Sequence, residues 1–242
     1  MPRGGPDWGI GANRAVAGIS ADPGEAAARL GSPVTYTRTG TVIWLDDFEF
    51  GLEGWNRSVV GTGAAINLVT SPVYRGRFAC KMIGGSTGSG IAQMTKGGWA
   101  VAPQRVGIEV VFAAVTVLKE FLLEIDLPGK NGGILFDLLV KGDADQLAYF
   151  DSAGNDQVIA SYDLLTGTSN TFNVLKLVAD LDEGEYVRAY FNDKVYDLAG
   201  IAGFPYASTQ EAYLNAFMQV TSEAGRNDEA VVDSVIFTAN EP

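Results

Sequence analysis

Between Asn173 and Gly200 the side chains alternate between apolar and polar. Leu175, Leu177, Ala179 and Leu181 are interleaved with Lys176, Val178 and Asp180, the period of two that marks a half-buried strand. Asp182-Glu183-Gly184 follows as a tight turn, with a glycine free to take positive φ. Alternation resumes from Tyr186 to Phe191, breaks at Asn192-Asp193, and returns from Lys194 to Leu198. Both turn residues tolerate the left-handed region, so the stretch predicts a three-stranded antiparallel meander.

The same reading predicts strands at Val34–Arg38, Thr41–Leu45, Phe78–Ile83, Ile91–Thr95, Val106–Val117 and Phe121–Leu127. More follow at Ile134–Val140, Leu147–Phe150, Gln157–Ser161 and Ala230–Thr238. Val106–Val117 is apolar almost throughout, as in a strand covered on both faces. Tyr213–Val220 fits a strand, although Ser208 and Glu211 also fit the capping box of a brief helix. Gly84–Gly90, GGSTGSG, has the composition of a flexible loop. Many short strands with little helix predict an all-β fold, an antiparallel jelly-roll β-sandwich over residues 34–242.

Residues 1–33 differ: they are rich in Gly, Ala and Pro and lack a sustained period. Asp22-Pro23-Gly24-Glu25 supplies an N-cap, a first-turn proline and an N3 glutamate before Ala26–Leu30, and Gly31 and Pro33 stop the helix. A helix this short is unstable alone. The prediction is therefore an extended arm with a short docking helix, whose Trp8, Ile10 and Leu30 are the candidate contacts to a partner.

Composition narrows the function classes. A hydrophobic content of 47% supplies a core. A net charge of −12 argues against nucleic acid or an anionic membrane as partner, because phosphate binding needs clustered Lys and Arg. The chain has no histidine, which removes Ser-His-Asp and Cys-His catalysis and every His-ligated metal centre. Cys80 is the single cysteine, so no disulfide forms within the chain, and its apolar neighbours predict a core thiol. The first residues lack the apolar run of a secretory signal, and no stretch approaches the ~20 apolar residues of a membrane span.

Three segments carry a resemblance: DDFEFGLEGW (Asp46–Trp55), SPVYRGRFACKMIGG (Ser71–Gly85) and VVDSVIFT (Val231–Thr238). In this order they resemble jelly rolls of the carbohydrate-binding-module type, while the meander is similar to concanavalin-like sandwiches of the laminin-G type. The chain from residue 34 onward also resembles jelly-roll proteins of tailed-phage particles. In several such modules a structural calcium ties the first strand to the last. The resemblance implies Glu49 and Asp233 as its ligands, with Asp46 and Asp47 assisting; the alternative is that these carboxylates solvate strand ends. Calcium would need six to eight oxygens.

Glu124-Ile125-Asp126 resembles the start of the E-I-D-x-x-E strand of one group of retaining glycoside hydrolases, but Gly129 stands where the second glutamate belongs. One glutamate cannot both attack and protonate. Tyr186, Arg188 and Tyr190 alternate with Val187, Ala189 and Phe191, and so would share one partly exposed face suited to a sugar or to a protein interface; the alternative is a partly covered packing layer under a neighbouring loop. Trp44, Trp55 and Trp99 are assigned to packing.

These readings favour a non-enzymatic virion structural protein, such as a capsid decoration or cement protein. It would bind capsid neighbours or other copies of itself through its arm and sheet surface. The alternative is a carbohydrate-binding module for host or glycan adhesion, placed extracellularly.

Overall fold

The computed structural model describes residues 40–100, 105–162 and 171–242. Sixteen strands fill them, with no helix among the described residues. In chain order they are β1 (Thr41–Asp46), β2 (Asn56–Val60), β3 (Ala65–Val69), β4 (Ala79–Ile83), β5 (Ile91–Ala100), β6 (Arg105–Ala114), β7 (Glu120–Leu127) and β8 (Gly133–Lys141). There follow β9 (Gln146–Phe150), β10 (Asp156–Ser161), β11 (Asn173–Asp180), β12 (Glu185–Phe191), β13 (Lys194–Ala202), β14 (Phe204–Tyr206), β15 (Tyr213–Thr221) and β16 (Glu229–Ala239). The expected arm, its helix with Trp8, Ile10 and Leu30, and the strand at 34–38 lie outside the described residues.

Two eight-stranded antiparallel sheets result. Sheet A runs β13-β12-β11-β6-β16-β4-β3 with β1 beside β16, and sheet B runs β10-β9-β8-β7-β15-β5-β2 with β14 beside β8. This is the predicted jelly-roll sandwich. Tyr213–Thr221 is a strand, paired on both sides, which decides between the two readings of that segment. The meander forms as predicted, with Asn192 at φ 55° in its two-residue turn. It makes one edge of sheet A; the centre belongs to β6 and β16, whose register runs from Ala230↔Ala114 to Ala239↔Val106.

Alternate residues of each sheet fill the space between them. Phe112 of β6 stacks on Phe121 of β7 with centroids 4.5 Å apart, and Ile108, Leu123, Leu177, Met218 and Phe237 are fully buried around them. Trp44, Trp55 and Trp99 pack at one end of this core. Cys80 lies inside as expected, its Sγ 3.1 Å from Met94 Sδ, and burial pushes its thiol up to about 12.

The glycine-rich loop 84–90 departs from its composition. Ser86 donates its amide to Thr62 O and its carbonyl accepts from Gly225 N, while Thr87 Oγ1 accepts from Thr62 N. A Cβ at Gly90 would overlap the backbone of Gly85. These glycines permit close packing of three loops.

Candidate functional site

The segments singled out for calcium do come together, through hydrogen bonds to one loop. Glu49 Oε1 accepts from the amides of Arg77 and Phe78 at 2.5 and 3.0 Å. Asp233 Oδ1, on β16, accepts from the amides of Tyr74 and Arg75 at 2.7 and 3.2 Å. Asp46 holds Phe48 N and Trp55 Nε1, and Asp47 accepts from Glu49 N. The Arg77 amide holds the Glu49 carboxyl below its usual value, whereas burial raises that of Asp233. Among the described residues no group of three or more Asp, Glu, Cys or His side chains is arranged to hold a metal ion. Glu49 and Asp233 brace loop 71–78 against the strand ends, while Asp46 and Asp47 fix the turn after β1.

The tyrosine face is corrected by a bulge. Arg188 pairs with Val178 and Tyr186 with Ala179, so Val187 is an extra residue in β12. One inserted residue reverses the alternation and sends Tyr186 and Arg188 to opposite faces. Tyr186, 1% exposed, enters the core with Ala189 and Phe191. Its ring sits edge-on to Phe136 and Tyr149. Its hydroxyl crosses to sheet B, accepting from Asp137 N at 2.8 Å and donating to Phe150 O at 3.0 Å.

Tyr190 and Arg188 remain on the outer face of sheet A, but Tyr190 is buried in an apolar cluster with Val111, Val174 and Val178. Arg188 reaches the Pro242 carbonyl and lies 3.8 Å from Glu241. Glu241 in turn pairs with the buried Lys176 at 2.7 Å. An exposed aromatic platform is thus replaced by packed side chains and an ion cluster.

The outer face of sheet B carries a cleft of about 770 Å³. Register builds it: Asn56 faces Thr95, Thr95 faces Phe217, Phe217 faces Glu124, and Glu124 faces Asp137. These five side chains form a row across β2, β5, β15, β7 and β8, because the inward positions of the same strands are taken by core residues. The adjoining row runs Gly97, Asn215, Asp126. Tyr206 and the residues up to Gln210 supply a wall, with Tyr213 at the end.

The floor is rigidly held. Asp126 accepts from Tyr206 Oη at 2.6 Å on one oxygen and from Asn215 Nδ2 at 3.0 Å on the other. Burial and the Asp126 hydrogen bond push the Tyr206 phenol up. Gly98 is bulged at φ 93°, and a Cβ on Gly97 would overlap Asn215 Oδ1, so two consecutive glycines let Asn215 lie flat beneath β5. Beside them Glu124 and Asp137 face each other across the β7–β8 pair. Burial, with the neighbouring charges, drives both upward, Asp137 to about 7 and Glu124 well above the ordinary range. Asp137 Oδ1 has no hydrogen-bond partner.

Sequence reasoning reached Glu124 and Asp126 as alternating carboxylates but missed Asp137, Asn215, Phe217 and Asn56. The available signal was Asn215-x-Phe217-x-Gln219, an outward-facing row on an otherwise apolar strand.

No family model matches the sequence, and no curated protein matches it. Solved structures share the fold. A cellulose-induced protein superposes with a TM-score of 0.57 at 16% identity, covering 81% of this chain and 96% of its own. A carbohydrate esterase from the Shiga toxin-encoding bacteriophage phi24B gives 0.57 at 13%, covering 84% and 100%. An alginate lyase from Chlorella virus gives 0.55 at 10%, covering 82% and 100%. Together with the two-sheet topology, these likenesses identify the fold of the chain as an antiparallel jelly-roll β-sandwich.

Proposed function

We propose that the chain binds carbohydrate in the cleft on the outer face of sheet B. The observation that carries this reading is the pair of cross-strand rows in which Phe217 is flanked by Asn56, Thr95, Asn215 and Asp126. A sugar ring has an apolar C–H face and a rim of hydroxyls. It needs one aromatic surface and several fixed donors and acceptors at a shallow site. The cleft offers both, and Asp126 and Asn215 fix each other before any ligand arrives, which lowers the ordering cost of binding.

The carboxylates support binding rather than cleavage. Glycoside hydrolysis with retention needs two carboxyls about 5 Å apart on either side of the scissile bond; here Glu124 and Asp137 are cross-strand neighbours, and neither is among the described residues that line the cleft. A glycan array probed with the purified protein tests the reading. Specific signals that vanish with Phe217→Ala support it, and a silent array overturns it.

The virion reading is a second proposal, favoured by the likeness to a bacteriophage protein and by the composition of residues 1–33. In it a decoration or adhesion protein attaches through its arm and presents the cleft outward. Deleting residues 1–33 would then abolish attachment to particles while leaving the sandwich folded. Attachment that survives the deletion would refute the arm's role.

A further inference from the structure

Resting on the carbohydrate reading, we infer that the cleft accepts uncharged glycans and rejects polyuronates. Among the described residues that line it, Asp126 carries the one charge. Glu124 and Asp137 lie behind it in the next row. The basic side chains nearby are committed elsewhere. Lys96 Nζ donates to Gly54 O at 2.6 Å and sits 5.5 Å from the Trp44 ring, and Lys130 pairs with Glu211 at 2.6 Å.

The hydrogen-bond inventory points the same way. Each oxygen of Asp126 has one donor already, from Tyr206 or Asn215, which leaves one further lone pair on each. Two acceptors on one carboxylate match two neighbouring hydroxyls of a sugar. A uronate carboxylate has no proton to give, would meet Asp126 with no cation between them, and would add a like charge within the ~8 Å screening length of physiological salt. The selectivity therefore runs opposite to the polyanionic substrate in the name of the Chlorella virus structure.

Affinity electrophoresis decides the matter, with xylan and a mixed-linkage β-glucan as uncharged polymers and alginate and polygalacturonate as charged ones. At low salt the protein is expected to bind at least one uncharged polymer ten times or more tighter than either polyuronate. Raising the salt, or Asp126→Asn, is expected to narrow that gap. Equal or tighter binding to a polyuronate at low salt overturns the inference while leaving carbohydrate binding intact. Binding to no glycan of either kind removes the carbohydrate reading and this one with it. If Asp126→Asn fails to fold, the salt series on the unaltered protein still decides.

Discussion

Raising the pH from 5.5 to 8 should destabilise this protein, because Glu124 and Asp137, neighbours across the β7–β8 pair, both hold their protons above the ordinary carboxylate range. In the unfolded chain the Asp137 carboxyl ionises near 3.8, and in the folded protein near 7. A folded-state value above the unfolded one means that the native state holds the proton longer, so stability falls as pH rises between the two values. The slope is about 1.4 kcal/mol per pH unit for each proton held, so Asp137 alone removes on the order of 2 kcal/mol between pH 5.5 and 7, and Glu124 adds to the loss in the same direction. In a chain of this size that lowers Tm by roughly 4–8 °C.

Thermal denaturation at fixed ionic strength measures the loss directly. The double variant Glu124→Gln/Asp137→Asn keeps the shape and removes both protons, so its stability should change little over the same window. Glu120 and Asp233, whose carboxyls are also raised by burial, contribute in the same direction. Glu49, Asp151 and Asp180, held down by hydrogen bonds, act with the opposite sign, and their contribution is lost as the pH falls through their folded values. Equal stability of the unaltered protein at pH 5.5 and 8, or an unchanged slope in the double variant, would refute the buried-pair argument.

Three further outcomes follow from the geometry. Tyr186→Phe removes the hydroxyl that serves Asp137 N and Phe150 O, and leaving buried backbone groups unpaired should cost about 1–3 kcal/mol in urea denaturation. Asp233→Ala frees the Tyr74 and Arg75 amides and should lower Tm equally in calcium and in chelator. A calcium-dependent difference would instead restore the metal reading. Gly97→Ala should leave a folded sandwich but reduce glycan binding at least tenfold, since the added methyl displaces Asn215; unaltered affinity on titration would place the ligand elsewhere.

The strands were legible in the sequence because each carries its own period: the meander and Tyr213–Val220 were read from local alternation alone. The faces were less legible. A single extra residue, Val187, turned Tyr186 inward, and bulges carry no strong local signature. The cleft was least legible of all. Glu124 and Asp137 are neighbours only because the β7–β8 hairpin pairs them, and Asn56 joins Phe217 through an intervening strand from another part of the chain. Such adjacency is a property of register, which alternation within one strand does not specify. Loop 84–90 misled for a related reason: its glycines answer to backbone neighbours distant in sequence.

The central claim, that the ligand site is the outer face of sheet B, is tested most directly by isothermal titration of the strongest oligosaccharide from the array. Phe217→Ala and Asn215→Ala should each weaken binding tenfold or more, about 1.4 kcal/mol. Arg188→Ala, on the outer face of sheet A, should leave the affinity as it was. Loss of binding in Arg188→Ala with affinity retained in Phe217→Ala would contradict the account and move the site to the other sheet.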